Sequence, residues 1–311
     1  LNQSENQKSS ANSFDANRSF VNIANWLRAL GLNAPEVLAH DYEQGYLLVS
    51  DLGKKHYFDV YQQSVDDANR LFDDAVEALC VMQAGDYSSL QLPVFDAART
   101  QEELDRCARW LVGEFLGDDI AQVFPLWPAV CETIVANIVE QPSVFVHLDY
   151  HSQNLLVCEP ATVVDEIKIP NPGILDFQDA LIGPVAYDIA SYIRDIYIDW
   201  PPDQRQQWLQ QYWQRAQALG VPVGDNLKQF QRWTDMCWMQ RYIKCFGNFT
   251  RGHFQQDKSR YLQYLPSMIE RVIDAASNYA EFDGLVTWLR DDVLVKVIDK
   301  NQTILGQQAC T

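Results

Sequence analysis

The chain has 311 residues, 47% of them hydrophobic, and a formal charge of −18 at pH 7. Its length and apolar fraction allow a large core in one two-lobed unit or in two domains, whereas its negative field would repel nucleic acid and anionic lipid and attract cationic partners. Because no uncharged apolar stretch reaches the roughly 18–20 residues of a membrane span and the start, LNQSENQKSS, lacks a signal-peptide core, we expect a cytoplasmic protein that binds neither nucleic acid nor membrane.

The first predicted element is a helix that begins near Asn17 and ends at Gly31. Residues 1–16 are polar and lack periodic hydrophobics, which predicts a tail. From Asn17 onwards, hydrophobic residues recur on one helical face, and Gly31 is a typical helix stop. Two short strands follow, within VLAHDY (37–42) and GYLLVSDLG (45–53), and their tight connection predicts a hairpin.

Helices dominate the prediction after Pro93. Hydrophobic residues recur every 3.6 positions in four segments: 100–116, 126–139, 204–220 and about 226–252. Residues 144–179 differ, because FVH, LLVC, TVVDEIKI and GILDF predict short buried strands with polar residues at their ends. Seven scattered cysteines never form a CxxC pair, so we expect buried, reduced thiols and neither disulfide bonds nor a structural metal site.

The stretch VFVHLDYHSQNLLV (144–157) crowds polar side chains between two apolar runs. A polar turn whose Asp and Asn bond their own backbone would explain it without any chemistry. Phosphoryl transfer is the other explanation, since it needs a carboxylate that accepts the proton of the attacking hydroxyl and oxygen ligands that hold Mg²⁺ beside the phosphates of ATP. In the pattern H-x-D-x-x-x-x-N, Asp149 is then the catalytic base, His147 orients the loop by hydrogen bonding and Asn154 is a metal ligand.

The segment GILDFQDA (173–180) offers a second metal ligand, Asp176, at the end of another apolar run. Together, HLDYHSQN and LDFQD resemble the catalytic loop and metal-binding segment of the aminoglycoside phosphotransferase and choline kinase superfamily, relatives of the protein kinases. The resemblance implies a bilobal, protein-kinase-like α+β fold with a reduced N-terminal lobe and hinge (1–53) and a mainly helical C-terminal lobe (54–311). It also implies ATP and Mg²⁺ as cofactors.

Two further segments are similar to this superfamily. GPVAYDIASYIRD (183–195) resembles the helix after the metal-binding segment, in which Asp188 would brace the catalytic loop. The alternative is a carboxylate that only starts a helix. GYLLVSDLG resembles the strand and hinge between the lobes, where backbone groups of Ser50, Asp51 and Leu52 would bind adenine. The alternative there is an ordinary strand that leads into a turn.

Within the superfamily, the chain most resembles bacterial amino-sugar kinases, over about residues 20–270. The segments that carry this likeness are EQGYLLVSDLG, VFVHLDYHSQNLLV, GILDFQDALIGPVAYDIASYIRD and WMQRYIKCFGNFTR. Those enzymes phosphorylate the anomeric hydroxyl of N-acetylmuramate or N-acetylglucosamine in cell-wall recycling, so the resemblance implies an ATP-dependent kinase of a small amino sugar. Arg194, Asp195 and Arg241 are then candidate sugar contacts, with Arg241 paired to a lactyl carboxylate.

Two departures from the superfamily leave alternatives open. Gln178 stands where many antibiotic kinases have a second carboxylate, which weakens the prediction of a second metal ion. No glycine precedes Gly31 and the only early lysine is Lys8, so the glycine-rich phosphate loop and its lysine have no counterpart. Either the chain is shortened, which the retained catalytic residues favour, or it is a nucleotide-binding pseudokinase that acts as a scaffold. An aminoglycoside antibiotic phosphotransferase is a further alternative, because an acidic surface attracts polycations.

Overall fold

The computed structural model describes residues 2–158 and 171–308. These residues form two compact units, each built from two stretches of chain. The first unit takes in the chain up to Val94 and from Pro142 to Phe230, and the second takes in Phe95–Gln141 and the chain from Gln231 onwards. Residue 53, the predicted boundary, lies inside the first unit, and the division into lobes 1–53 and 54–311 stays a prediction.

Helices make up most of the described chain. In chain order they are α1 (Asn2–Ala29), α2 (Tyr57–Tyr61), α3 (Val65–Ala84), α4 (Ala97–Arg106), α5 (Ile120–Val123), α6 (Trp127–Val139), α7 (Tyr187–Ile193), α8 (Pro202–Ala218), α9 (Leu227–Gln256), α10 (Leu265–Ala276), α11 (Asp283–Trp288) and α12 (Leu294–Gln308). Two π-helical segments, Cys107–Leu116 and Leu289–Val293, continue α4 and α11. Two short 3-10 helices, Ser259–Tyr264 and Ala280–Phe282, precede α10 and α11. The four helical segments predicted after Pro93 are confirmed.

Strands are short and pair in twos. They are β1 (Val37–Asp41), β2 (Tyr46–Val49), β3 (Ser143–Val146), β4 (Leu155–Leu156), β5 (Gly173–Ile174) and β6 (Leu181–Pro184). The described strands form three antiparallel pairs: β1 with β2, β3 with β6, and β4 with β5. The predicted hairpin and the strands in FVH, LLVC and GILDF are confirmed, whereas β6 was not predicted because its sequence, LIGP, has no strand periodicity. The strand predicted in TVVDEIKI lies outside the described residues.

Helix α1 begins earlier than its hydrophobic face indicates. It starts at Asn2, so the prediction that residues 1–16 are a tail is wrong for the described part of that segment. This polar stretch contains neither Gly nor Pro, so no residue in it interrupts a helix that continues from Asn17 towards the N-terminus. The predicted stop is confirmed, because Gly31 has a φ of +80° and ends the helix in the left-handed conformation.

The core of the first unit supports the segment between β3 and β4. Phe72 on α3 stacks on Trp208 of α8, with ring centroids 4.4 Å apart and planes 6° apart. The hydroxyl of Tyr150, which is fully buried, donates to the carbonyl of Ala75 on α3 at 2.7 Å. This hydrogen bond anchors the predicted catalytic loop to a helix whose position is fixed by packing.

None of the described helices is both long enough and apolar enough to cross a membrane. Six cysteines are described, and all six are buried free thiols.

Two glycines of α9 differ in the space around them. A Cβ atom at Gly247 would lie 2.4 Å from the backbone carbonyl of Arg106, whereas at Gly252 the nearest atom, Cβ of Lys258, would be 3.7 Å away. Gly247→Ala should therefore lower the free energy of unfolding by ~1–3 kcal/mol, while Gly252→Ala should raise it by up to ~1 kcal/mol because alanine favours helix. Equilibrium urea unfolding measures both, and equal midpoints for the two variants would contradict this packing.

Candidate active site

Two neighbouring turns of the first unit carry most of the predicted site. The catalytic loop, residues 147–154, joins β3 to β4, and the metal segment, residues 175–178, follows β5. Because β4 and β5 pair, the residues at their ends are adjacent: the N–H of Leu175 donates to the carbonyl of Asn154 at 3.0 Å. Strand pairing therefore places the two turns side by side.

Asn154 contacts both of the carboxylate residues that the sequence singles out. Its amide nitrogen donates to the backbone carbonyl of Asp149 at 3.0 Å and to Oδ2 of Asp176 at 3.3 Å. Asp149 is partly exposed and Asp176 is exposed. The structure therefore brings these three residues together, with Asn154 bonded to the backbone of Asp149 and to the carboxylate of Asp176.

The oxygen atoms at this point suit a magnesium ion. Mg²⁺ is bound through oxygen, usually one or two carboxylates completed by water and by the phosphates of the substrate. Asp176 supplies the carboxylate, and Asn154 supplies an amide oxygen, because its amide nitrogen is engaged by Asp149 and Asp176. The donor set thus fits the ion that the sequence predicted, although the role of these residues as ligands stays a prediction.

Gln178 acts on the metal segment as a hydrogen-bond donor. Its amide nitrogen lies 2.7 Å from Oδ1 of Asp176. Each oxygen of the Asp176 carboxylate therefore accepts an amide N–H, one from Gln178 and one from Asn154. This arrangement orients the aspartate, and it gives Gln178 a supporting contact rather than the position of a second charged ligand.

The backbone is strained at both turns. Leu148 has a φ of +78° and Asp176 a φ of +61°, in the left-handed region that residues with a side chain rarely adopt. Such a conformation persists only where surrounding contacts impose it. The strained residues lie immediately before Asp149 and at the predicted metal ligand itself, so these contacts determine where the chemical groups point.

Asp188 supplies the contacts at the first turn. It lies in the first turn of α7, is fully buried, and accepts the backbone N–H of His147 through Oδ2 at 2.7 Å and that of Leu148 through Oδ1 at 3.0 Å. Hydrogen bonds to a charged acceptor are short and about twice as strong as neutral ones. The carboxylate therefore lies where the predicted brace of the catalytic loop requires it.

His147 links the two turns. Its ring is fully buried, and Nε2 lies 2.9 Å from the carbonyl oxygen of Leu175, which can only accept, so Nε2 carries the proton. Burial lowers the pKa of this histidine to about 4, against the partly opposing effect of the negative charges of Asp149 and Asp176. A neutral, buried imidazole bonded to backbone has a positioning role, in line with the predicted orientation of the loop.

The predicted hinge residues are only partly available to a base. The N–H of Ser50 donates to the carbonyl of Glu36 at 2.9 Å, and its hydroxyl accepts the N–H of Glu36 at 2.8 Å. The N–H of Ser50 is therefore committed to the end of the hairpin, and the predicted binding of adenine by backbone groups at Ser50 stays a prediction. The predicted binding of adenine by the backbone of Asp51 and Leu52 also stays a prediction. The Leu52 carbonyl lies 3.5 Å from the thiol of Cys158.

Asp195 differs most from its predicted role. It was expected to contact a sugar, yet it is only 2% exposed, and its carboxylate accepts hydrogen bonds from the backbone N–H groups of Ser152 and Tyr197. These contacts attach its carboxylate to the catalytic loop, because both of its oxygens accept from protein donors. Arg194, next to it, is partly exposed, and Arg241, on α9 in the second unit, is only 5% exposed, so the sugar contacts of both arginines stay predictions.

Helix α1 supports the metal segment through residues that sequence reasoning missed. The hydroxyl of Ser19 donates to the carbonyl of Gln178 at 2.8 Å, and the ring of Phe20 stacks on Phe177 at 4.8 Å. The helical periodicity placed Phe20 on the buried face, but no local pattern shows which distant segment that face meets. The second half of α1 thus helps to fix the turn that carries Asp176.

Comparisons with known proteins found that the chain is similar to phosphotransferases and kinases. A family model described as the phosphotransferase enzyme family matches residues 7–221. The N-acetylmuramate/N-acetylglucosamine kinase of Pseudomonas aeruginosa is 36% identical over 86% of this chain and 76% of its own length, and that of Pseudomonas putida is 35% identical over 88% and 78%. Among solved structures, the GDP complex of wild-type aminoglycoside 2'-phosphotransferase-IIIa aligns with a TM-score of 0.57 at 16% identity, over 86% of this chain and 83% of that one.

The lowered pKa of His147 predicts how folding stability depends on pH. The folded-state pKa of about 4 lies below the usual 6.5, so the unfolded chain takes up this proton first as the pH falls. The contribution of the neutral His147 to the free energy of unfolding is complete above about pH 6.5 and is lost as the pH approaches 4. Urea unfolding of the wild type between pH 7 and 4.5 should show a steeper loss than that of His147→Gln, which cannot titrate. Parallel curves for the two proteins would refute a buried neutral histidine.

Proposed function

We propose, because the chain belongs to the phosphotransferase enzyme family, that it transfers the terminal phosphoryl group of ATP to a hydroxyl of a small amino sugar. The predicted enzyme class, a small-molecule phosphotransferase, is confirmed by the family match, and the predicted aminoglycoside phosphotransferase fold is confirmed by the structural likeness. The observation that carries the proposal is the contact of Asn154 with Asp149 and Asp176. It places the loop backbone at Asp149, the proposed proton acceptor, beside the two proposed oxygen ligands, and phosphoryl transfer needs these three groups.

The acceptor that we propose is N-acetylmuramate or N-acetylglucosamine, at its anomeric hydroxyl. Two Pseudomonas proteins that bear the name of this activity share 35–36% of their residues with the chain over most of its length. The chain covers more than three quarters of each of them, so the likeness includes both the catalytic loop and the helices after it. The reaction would serve cell-wall recycling in the cytoplasm, where thiols such as the six described here stay reduced.

The residues of the first unit have different roles in the proposed reaction. Asp149 accepts the proton of the attacking sugar hydroxyl and orients that oxygen towards the phosphorus. His147 and Asp188 act on the loop backbone and keep Asp149 in place before the sugar arrives. Asp176 and Asn154 would hold Mg²⁺, which when bound neutralises the charge on the phosphate oxygens.

ATP is the proposed nucleotide, and the hinge is its proposed site. The solved relative described above is a complex with GDP, a purine nucleotide. In this chain the backbone of Asp51 and Leu52 follows the hairpin and would face the base. The thiol contact between Cys158 and the Leu52 carbonyl links this hinge to the chain just after β4, four residues after Asn154. The base and the metal ligands would thereby be held by one connected stretch of backbone.

Replacement of Asp149 tests the reaction directly. Asp149→Asn keeps the size of the side chain but removes the proton acceptor, so kcat should fall by roughly 10²–10⁴-fold, the usual contribution of a general base. The assay couples nucleoside diphosphate release to N-acetylmuramate, N-acetylglucosamine and kanamycin, each with ATP and with GTP. Asp203→Asn, the same change at an exposed position on α8, is the control and should keep full activity.

The acceptor panel separates the alternatives. Turnover with the amino sugars and none with kanamycin supports the proposal. Turnover with kanamycin alone would make the protein an antibiotic kinase, and the absence of product from every acceptor would favour a nucleotide-binding scaffold. Undiminished turnover by Asp149→Asn would remove that residue from the reaction.

Arg241 gives a test of acceptor recognition. N-acetylmuramate carries a lactyl carboxylate that N-acetylglucosamine lacks, and a guanidinium binds a carboxylate through two parallel hydrogen bonds. Arg241→Met should raise the KM for N-acetylmuramate roughly 10-fold or more, with a much smaller change for N-acetylglucosamine. Arg232→Met on the same helix, where the arginine pairs with Glu281 at 2.7 Å, is the control. An equal change for both sugars would argue against the pairing.

A further inference from the structure

Two carboxylates associated with α7 contact the catalytic loop at different points. Asp188 lies in the first turn of the helix, and Asp195 lies two residues beyond its last residue, Ile193. Asp188 bonds the start of the loop at His147 and Leu148. Asp195 bonds the same loop further along the chain, at Ser152.

Asp195 bonds the middle of the loop. Its Oδ2 accepts the backbone N–H of Ser152 at 3.0 Å and the hydroxyl of the same serine at 2.5 Å, while Oδ1 accepts the N–H of Tyr197 at 2.9 Å. Ser152 is fully buried, and on its other side its carbonyl accepts the N–H of Phe58 at 3.2 Å. The serine is thus held on two sides, three residues after Asp149 and two before Asn154.

We propose that Asp195 is a positioning residue that, by holding Ser152, sets the separation between the proton acceptor Asp149 and the metal ligand Asn154; the inference rests on the proposed function. Asp188 fixes where the loop begins, and Asp195 fixes how it continues towards Asn154. Two points of attachment determine the direction of the intervening backbone, whereas one leaves it free to pivot. Small displacements of reacting groups cost much rate, about 10²-fold for 1 Å.

The chemistry of the carboxylate explains why an aspartate is needed. Three donors converge on Asp195, and an ionised carboxylate has acceptor sites for all three. An asparagine would present one oxygen and an NH₂ group, so at least one of the N–H groups of Ser152 and Tyr197 would face another donor. A buried donor without an acceptor is unfavourable, and the loop would move to avoid that arrangement.

The same contacts separate this role from sugar binding. Both oxygens of Asp195 are bonded to protein donors, and the residue is 2% exposed. Its effect on the reaction therefore passes through Ser152 and Asn154. Loss of the contact should change kcat and the Mg²⁺ requirement, and should leave the KM for the sugar nearly unchanged.

Three variants test the proposal: Asp195→Asn, Ser152→Ala and the double variant, with Asp203→Asn as the exposed control. Asp195→Asn should lower kcat at least ~10-fold with a sugar KM within ~3-fold of the wild type. Ser152→Ala removes only the hydroxyl bond, so it should shift kcat in the same direction by less. Because both act on one contact, the double variant should resemble Asp195→Asn alone. A rise in the sugar KM with an unchanged kcat would overturn the proposal and restore Asp195 as a sugar contact.

A second measurement is independent of the acceptor. Calorimetric titration of ADP with and without Mg²⁺ gives the gain in affinity due to the metal, which should be smaller in Asp195→Asn and Ser152→Ala than in the wild type. If the wild type phosphorylates no amino sugar, the proposed function fails, and this titration still tests the contact. An undiminished metal-dependent gain in both variants would overturn it. Should Asp195→Asn not fold, as judged by circular dichroism, Ser152→Ala decides the outcome.

Discussion

The hydrogen bonds from His147 and Leu148 to the buried carboxylate of Asp188 determine the shape of the catalytic loop. They hold Leu148 in a left-handed conformation that its side chain disfavours. This backbone conformation sets the direction of the chain at the next residue, Asp149. A charged acceptor that receives two backbone N–H groups is strong enough to impose such a conformation. The site is therefore built on helix α7, which is held in the packed interior of the first unit.

Burial of neutral groups separates the structural part of the site from its reactive part. His147 is enclosed and uncharged, so its ring can serve as a fixed N–H donor to the metal segment across the pH range near neutrality. Asp149 is partly exposed and Asp176 is exposed, as their proposed roles of proton acceptor and metal ligand require. The groups proposed for the reaction are thus open to solvent, whereas the contacts of His147 and Asp188 that hold the loop are buried.

Uncharged amide and hydroxyl groups support the metal segment. Gln178 and Asn154 each offer an amide N–H to Asp176, and Ser19 of α1 bonds the Gln178 carbonyl. Amide donors orient a carboxylate without placing a positive charge beside it, which suits the proposed role of Asp176 as a metal ligand. Glutamine at position 178 is therefore compatible with that proposed role.

Local pattern made much of this architecture predictable. The H-x-D-x-x-x-x-N spacing and the apolar run before Asp176 indicated both turns, because the residues concerned are close in sequence and each turn is bounded by a short buried strand. The periodic helices α8 and α9 were predictable for the same reason. The contacts that support the site could not be predicted from local pattern. Ser152 bonds Asp195, which is 43 positions away in the sequence, and Ser19 bonds Gln178, which is 159 positions away.

The sequence by itself thus determined which chemical groups the protein has and the order in which they occur in each turn. Only the tertiary structure decided which of them are bonded to distant segments and which are open to solvent, as the buried Asp195 and the paired N–H of Ser50 illustrate. Their residue types and positions in the sequence suit either environment. The physical reason is that the choice depends on which donors approach each oxygen or N–H from distant segments, and that is set by strand pairing and helix packing rather than by neighbours along the chain.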